Sequence, residues 1–350
     1  MKNSKIKAPG AVTISGQGLR IEDVERVARS GAVVSLAKSA ERDIKSCRRL
    51  LEKMVAENES VYGVTTGIGE FARIQVPPEK AGELQKRIVF SHSAGVGDEM
   101  PCEWVRANML LRANVLAKGY SGVRLEIVEC LIDMLNRGVT PVVYKRGSLG
   151  ASGDLAPMGM IAEVILGGGA AWYKGKKYSG KVALKKAGLT ALTLSYKEGL
   201  GLINGTQTLT GIGALALADS RNLLKAAIIA SGMTVDCLQS SMAAFDSRPH
   251  KYRGHRGQIE VAQIIKKLTR GSQTIPDNHG KVQDAYSLRC IPQIIGPSLD
   301  AYRYTRDVIE TEMNGLVDNP LFFPDKGDSV AAGNFHGQAP GMALDFLAIA

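Results

Sequence analysis

The 350-residue sequence has little of what marks several classes of protein. Its five cysteines are odd in number and widely spaced and include no CxxC pair, so a zinc site and a disulfide framework both fit poorly. No run of about 18 apolar residues is present, and the first ten residues, MKNSKIKAPG, lack the apolar stretch of a signal peptide. We therefore expect no membrane association and a reducing, cytoplasmic compartment.

Positive charge is not concentrated in one place either. Lys and Arg number 44 against 34 Asp and Glu, a net charge of +10, but the cations are scattered and join no nucleic-acid reader motif. We therefore expect no nucleic-acid partner, and an anionic substrate or carboxylate pocket explains part of the excess equally well. Hydrophobic residues make up 45% of the chain, which is enough apolar material for a large globular core.

Apolar residues recur at helical spacing in several segments. In 40–57 they predict a helix, with Ser39 as a candidate N-cap. Only 170–184 gives a strand signal, in which a Gly/Lys turn separates two short segments and indicates a surface hairpin. Further helices are predicted over 79–92, 101–118 and 124–137, the last of them ended by Gly138.

The second half of the chain reads as long helices. The segment 204–244 has no proline and is apolar on nearly every side, which is typical of a helix covered by bundle neighbours or by other subunits. Helices also follow over 291–313 and 337–350, and the last is still apolar at its end, so we expect further natural chain or a partner there. The sequence thus predicts a mainly α fold, with an N-terminal helical domain (1–200) carrying a small β-hairpin, followed by a bundle of long central helices (201–350).

The loop RGSLGASGDLAPMG, residues 146–159, matches neither of two common glycine-rich motifs. A Walker loop needs Lys after its last glycine, but Gly153 is followed by Asp154. A nucleophile elbow around Ser152 needs glycine where Asp154 stands. The loop is therefore either a tight turn into a helix beginning near Pro157 or a site of different chemistry.

That chemistry is self-condensation of the Ala-Ser-Gly tripeptide. The amide nitrogen of Gly153 can attack the carbonyl carbon of Ala151, because glycine permits the strained turn that this attack requires, and loss of water closes an imidazolone ring. Loss of a second water from Ser152 leaves an exocyclic methylidene. The product is an electron-poor alkene that no ordinary side chain provides.

This loop and six further segments, all in the same order, resemble the histidine and aromatic amino acid ammonia-lyase family. The resemblance implies that Ala151, Ser152 and Gly153 form 4-methylideneimidazol-5-one and that no metal or diffusible cofactor is needed. It also implies a homotetramer whose active sites combine residues of different subunits. The segments are YGVTTGIGEFA (62–72), FSHSAGVGD (90–98), GLINGTQ (201–207), QDAYSLRC (283–290), MNGLVDNP (313–320) and GNFHG (333–337).

The same resemblance implies roles for single residues. Tyr62, on a glycine-rich segment that could act as a lid, is the expected base. Asn204 and Tyr286 are expected to hydrogen-bond the prosthetic ring or the substrate amino group, with Gln283 in support. Arg289 is expected to bind the substrate carboxylate through its planar guanidinium, and Phe335 to form the pocket wall near the ring. Without the resemblance, each residue has an ordinary interpretation: Tyr62 as a loop tyrosine, Asn204 as a turn residue, Arg289 as a solvated surface group and Phe335 as a core residue.

His92 bears on the substrate. The resemblance associates Ser-His, present here as Ser91-His92, with lyases acting on histidine, and an imidazole can hydrogen-bond an imidazole-bearing substrate. A helix-end histidine bonded to backbone is the alternative. The predicted reaction is elimination of ammonia from L-histidine to give trans-urocanate. Two rivals stay open, a tyrosine or phenylalanine ammonia-lyase or 2,3-aminomutase, and a non-catalytic helical scaffold.

Overall fold

Helices form at nearly all the places that apolar periodicity predicts. The computed structural model describes residues 10–276 and 282–350, so nearly all of the segment considered for a signal peptide lies outside the described residues. The α-helices are α1 (Ile21–Ser30), α2 (Lys38–Ala56), α3 (Ala81–His92), α4 (Cys102–Leu116), α5 (Leu125–Arg137), α6 (Leu155–Ile165), α7 (Gly180–Lys186), α8 (Glu198–Ile203), α9 (Gln207–Cys237), α10 (Ser247–Arg253), α11 (Arg256–Leu268), α12 (Tyr286–Arg289), α13 (Ile291–Met313) and α14 (Gln338–Ile349).

The ends of two helices test the sequence signals for capping. Gly138 follows α5 with φ 74°, the left-handed conformation that glycine adopts at little cost, so this predicted end is confirmed. The predicted cap at Ser39 is wrong, because α2 begins earlier. Ala37 is the N-cap residue, its carbonyl accepts the amide hydrogen of Glu41, and no side chain caps the helix.

The strands are short, and the sequence pattern did not predict most of them. The predicted hairpin is confirmed as β6 pairing antiparallel with β7, but residues 180–184, predicted as its end, belong to α7. β1 and β2 pair in parallel, and β4 extends the hairpin to three strands. The strands are β1 (Val12–Ile14), β2 (Val34–Leu36), β3 (Val96–Glu99), β4 (Thr140–Pro141), β5 (Tyr144–Arg146), β6 (Ala170–Tyr173), β7 (Lys176–Ser179), β8 (Leu321–Phe323) and β9 (Asp328–Val330).

Contacts divide the chain into two compact units. The first comprises 1–215 and 309–341, and one of its buried clusters packs Leu51 of α2 against Phe322 of β8. The second comprises 216–308 and 342–350, and a buried cluster in it joins Val235 of α9 to Val261 of α11. The division into 1–200 and 201–350 stays a prediction.

The long apolar segment forms α9, which is buried over its first three turns but not throughout. Farther along, Leu223 and Met233 are 71% and 64% exposed in the single chain. An apolar helix face of this size in water favours a covering partner. None of the helices formed by residues 10–276 and 282–350 is long and apolar enough to cross a membrane.

Candidate active site

The glycine-rich loop makes a tight turn just before α6. Gly150 and Gly153 have φ of 75° and 83°, and the Gly153 amide donates to Gly150 O at 3.3 Å. Ala151 and Ser152, between them, are exposed while Gly153 is buried. The turn therefore presents the serine side chain at a surface and keeps the glycine amide inside.

At Gly153 the structure requires glycine for two reasons. Its φ lies in the left-handed region, and a Cβ atom added there would stand 2.6 Å from Gly205 O. The next amide, of Asp154, donates to the same Gly205 O at 2.7 Å. The Ala-Ser-Gly tripeptide is thus held directly against the turn that ends α8.

Asp154 is buried and hydrogen-bonded at both carboxylate oxygens. In the sequence it stood out only because it departs from the Walker and nucleophile-elbow motifs. Ser148 Oγ donates to its Oδ1 at 2.7 Å, and the Leu209 amide donates to its Oδ2 at 2.8 Å. Burial raises the pKa of this carboxyl above its ordinary value, and these hydrogen bonds oppose the rise. Its side chain links the loop to the first turn of α9. The signal available in the sequence was its place directly after the Ala-Ser-Gly triad.

Asn204 hydrogen-bonds to the loop through its side chain. Its Nδ2 donates to Ser152 O at 3.1 Å, and its side chain is buried. Its Oδ1 has no hydrogen-bond partner among the described residues. A buried acceptor without a partner costs free energy, so this oxygen is available to a donor from a bound molecule.

A cavity of about 580 Å³ opens in front of these residues, within the first unit. Five of the predicted site residues line it, namely Tyr62, His92, Ser152, Asn204 and Phe335. The volume fits a small amino acid with room to spare. The rest of the wall is largely apolar with two charged residues, and consists of Ile68, Gly69, Glu70, Phe71, Leu84, Arg87, Ile88, Ser91, Leu155, Leu200, Ile203 and Asn319.

Tyr62 lies on an irregular segment between α2 and α3. Its phenol oxygen accepts the amide hydrogen of Gly69 at 3.0 Å. Gly63 beside it is buried, and a Cβ there would come within 2.7 Å of Leu200, so this glycine serves close packing. Gly69, by contrast, is exposed with open space around it. The predicted lid role stays a prediction.

His92 is the last residue of α3 and is half-buried. Its Nδ1 lies 2.7 Å from Ile88 O and 3.1 Å from Ser91 Oγ. Since a carbonyl oxygen only accepts, Nδ1 carries the hydrogen and Nε2 is left as an acceptor. The backbone bond of the ordinary alternative is therefore present, and it also fixes the tautomer of a side chain that lines the cavity.

Phe335 is half-buried in the GNFHG segment that precedes α14. The Gly337 amide of this segment donates to Gly150 O at 3.1 Å. The phenylalanine is consequently fixed relative to the glycine-rich turn by a backbone hydrogen bond.

Three predicted residues belong to the second unit and are described within it. Gln283 and Arg289 line a cavity of about 290 Å³, where Arg289 Nε is buried without a hydrogen-bond partner among the described residues. The Arg289 guanidinium lies over the ring of Tyr286, 5.2 Å from its centroid, and that tyrosine is 70% exposed. Their roles at the first-unit cavity stay predictions.

Comparison with known sequences gives a consistent result. A family profile described as aromatic amino acid lyase matches residues 19–350. The chain is 48% identical over 339 residues to the histidine ammonia-lyase of Treponema denticola and 46% identical over 340 residues to that of Caldanaerobacter subterraneus subsp. tengcongensis. Each alignment covers 97% of this chain and 67% of the relative, so the chain spans about two thirds of their length.

Comparison with solved structures agrees on the fold. The tyrosine aminomutase of Streptomyces globisporus superposes with a TM-score of 0.91 at 36% sequence identity. The superposition covers 97% of this chain and 68% of that protein. The predicted mainly α fold is confirmed, with long helices and few strands.

Proposed function

Since the chain belongs to the aromatic amino acid lyase family, we propose that it eliminates ammonia from L-histidine to give trans-urocanate. The observation that carries the proposal is the single cavity lined by Tyr62, His92, Ser152, Asn204 and Phe335. The 43–48% identity to histidine ammonia-lyases supports histidine as the substrate.

The residues around the loop fit the prosthetic group that the family resemblance implies. A bond from Gly153 N to the Ala151 carbonyl carbon would release one water, and loss of the Ser152 hydroxyl with its α-hydrogen would release a second. Gly153 has the positive φ and the contact with Gly205 that exclude a side chain, and Asn204 already donates to Ser152 O. The resulting 4-methylideneimidazol-5-one supplies an electron-poor alkene that withdraws electrons from the substrate.

Tyr62 is the residue we propose to remove the β-proton. It lines the cavity, and its phenol oxygen accepts one hydrogen bond, from the Gly69 amide. Because the phenolic hydrogen takes no part in that bond, the phenol can lose it and, as the phenolate, take the β-proton of the substrate while the bond from Gly69 stays in place. A positioned acid–base residue of this kind typically contributes about 10²- to 10⁴-fold to the rate.

Asn204 and His92 are proposed to bind and orient the substrate. The Asn204 amide hydrogen stays on Ser152 O, so this donor stabilises negative charge that develops there, while its free Oδ1 can accept from the substrate amino group. The His92 Nε2, left as an acceptor, can bind the N–H of a substrate imidazole. Phe335 and the apolar wall keep water away from the reacting carbons.

Three further residues have roles that rest on the family resemblance alone. We carry over from the family resemblance that Arg289 binds the substrate carboxylate and that Tyr286 and Gln283 assist at the amino group. The same resemblance implies a homotetramer with shared sites, and the exposed apolar residues on α9 support self-association. The cytoplasmic location stays a prediction.

The test follows the ultraviolet absorbance of urocanate with the full natural chain. L-Histidine should give the signal, Ser152→Ala should abolish it, and the intact mass of the parent should be low by two water molecules. Ser93→Ala is the matched control, because the Ser93 hydroxyl donates to Val89 O and does not line the cavity. A parent chain without the mass deficit, or equal activity in Ser152→Ala, contradicts the proposal.

An aminomutase is the second candidate, and the superposition on tyrosine aminomutase favours it specifically. Rates with L-histidine, L-tyrosine and L-phenylalanine, together with a search for β-amino acid products, separate the two. Faster turnover of tyrosine with a β-tyrosine product would select the aminomutase.

A further inference from the structure

Arg112 is a wholly buried cation that the proposed mechanism does not use. It lies on α4, and none of its side chain is exposed. Its Nη1 donates to Asn204 O at 2.8 Å and to Val317 O at 3.1 Å, while its Nε donates to Gly201 O at 2.7 Å. Nη1 also donates to Gln207 Oε1 at 3.0 Å. A planar guanidinium suits several acceptors spread around it, which a lysine ammonium could not all reach.

A second cation and one anion complete the cluster around Arg112. Asp318 Oδ1 lies 3.6 Å from Arg112 Nη2, and both Asp318 oxygens accept from Lys197 Nζ at 2.9 Å. All three side chains are fully buried. Burial lowers the pKa of Lys197 and of Arg112, and the Asp318 carboxylate opposes this in both. Because burying charge is costly even when it is paired, stability alone is a weak reason for such a cluster.

The cluster lies directly behind the reactive loop. Arg112 holds the carbonyls of Gly201 and Asn204, which belong to the end of α8. The Asn204 side chain then donates to Ser152 O. A Cβ at Gly205, the next residue, would stand 2.8 Å from Arg112 Nη1, so the turn rests on the guanidinium. The buried cation therefore contacts the same residue, Asn204, whose side-chain amide binds the loop.

We propose that Arg112 is a positioning residue whose guanidinium, paired with Asp318, fixes the turn 201–205 so that the Asn204 amide meets the Ser152 carbonyl. The inference rests on the proposed function, because it assigns Arg112 to the formation and use of the group made from residues 151–153. Arg112 is not among the residues that line the cavity and makes no hydrogen bond to residues 151–153; it donates to Asn204 O and acts through that residue.

The test compares two arginines on the same helix. Arg106 is also on α4 and donates only to backbone carbonyls, those of Val27, Ala28 and Leu135, none of which belongs to the loop or the cavity. Arg112→Lys and Arg106→Lys both keep the charge and lose the planar fork, so both should lower Tm. Both variants are made in the full natural chain.

Three readouts distinguish positioning from a general loss of stability. The intact mass gives the fraction of chains that have lost two waters, Tm gives stability, and steady-state kinetics give kcat and KM. For Arg112→Lys we expect a lower dehydrated fraction and a kcat per dehydrated chain lower by about 10- to 100-fold, with KM for L-histidine changed by less than about threefold. Arg106→Lys should keep both the dehydrated fraction and that kcat.

Gln207→Met covers the case in which Arg112→Lys does not fold. It removes one acceptor of the guanidinium and leaves the arginine in place, so it should shift the dehydrated fraction and kcat in the same direction by less. Dehydration and kcat that stay at the parent values in the folded variant, or that fall equally in Arg106→Lys, overturn the inference. A parent chain that keeps both waters overturns the proposed function instead, and the inference falls with it.

Discussion

At the scale of single residues, the tyrosine that we propose as the base lies on an irregular segment of the cavity wall instead of on a helix. Tyr62 is held there by one backbone donor, Gly69 N, and by the close packing of Gly63 against Leu200. This arrangement holds the phenol without using its hydrogen. Phenylalanine in this position keeps the ring and its packing and loses the oxygen that accepts the Gly69 amide hydrogen.

Tyr62→Phe should for that reason lower kcat by about 10²- to 10⁴-fold while leaving the two-water mass deficit intact. In the proposed function the prosthetic group forms from residues 151–153, so we expect its formation not to need this phenol. Urocanate absorbance and intact mass of the same sample check the two halves of the prediction.

Tyr196→Phe is the matched control, because its hydroxyl donates to Pro78 O at 3.4 Å and it does not line the cavity. Normal turnover in Tyr62→Phe would remove Tyr62 from the role of base. A lost mass deficit would instead assign it to formation of the group.

Some residue-scale features followed from the sequence and others could not. The motifs predicted that Ser152, Asn204 and Tyr62 share one site, and the structure places all three on one cavity. Asp154 and Arg112 were missed as supports, because each acts through contacts with residues far along the chain, at Leu209 and Asn204. A buried hydrogen bond of that kind leaves no local pattern.

At the scale of elements, the longer helices were predictable, and strands outside the β6–β7 hairpin were not. A helix of thirteen residues such as α5 repeats its apolar face several times and then ends at a glycine with φ 74°. Neighbouring residues in the sequence therefore indicate both the extent of the helix and its end. β1 and β2 are three residues each and pair in parallel across α1, from Val12 to Val34. Three residues are too few to display a period of two.

Gly153 and Gly138 both have φ in the left-handed region, so substitutions at these two positions give a matched test of the loop. Gly138→Ala meets no atom within 4 Å, so it should lose only the backbone preference, about 1–2 kcal/mol of unfolding free energy. Gly153→Ala adds a contact of 2.6 Å with Gly205 O and must displace the turn. It should therefore cost more stability and stop the loss of water.

Denaturant unfolding and intact mass measure both effects. Gly138→Ala should keep its two-water deficit in spite of its lower stability, which separates loop geometry from global stability. Equal stabilities of the two variants, or a full deficit in Gly153→Ala, would show that the loop tolerates a side chain facing Gly205.

At the scale of the whole molecule, the described residues form two compact units, and the cavity belongs to the first. The sequence predicted the long helices α9 and α13, because an uninterrupted apolar stretch without a turn signal has few other solutions. It did not indicate that the first unit would take residues 309–341 from the far end of the chain. That return brings Phe335 and Asn319 to the cavity wall, and only the motif order hinted at it.

Unfolding of the first unit can be followed through modification of its buried cysteine thiols. Cys47 on α2 and Cys130 on α5 are buried, and burial raises the pKa of each to about 12. At pH 8 only about one molecule in 10⁴ of either would carry a thiolate, and neither is accessible to a reagent. Cys102, at the start of α4, is exposed. We expect a disulfide reagent at pH 8 to modify Cys102 quickly and the two buried thiols only when the unit unfolds.

In a moderate denaturant Cys47 and Cys130 should then be modified at one common rate, because helices that share a core open together. Peptide mapping after timed labelling gives each rate, and the peptide carrying the exposed Cys102 is the fast-reacting control. Two different rates would mean that α2 and α5 open separately, and modification of Cys47 as fast as Cys102 without denaturant would contradict its burial. A common rate would establish that α2 and α5 unfold as one cooperative body.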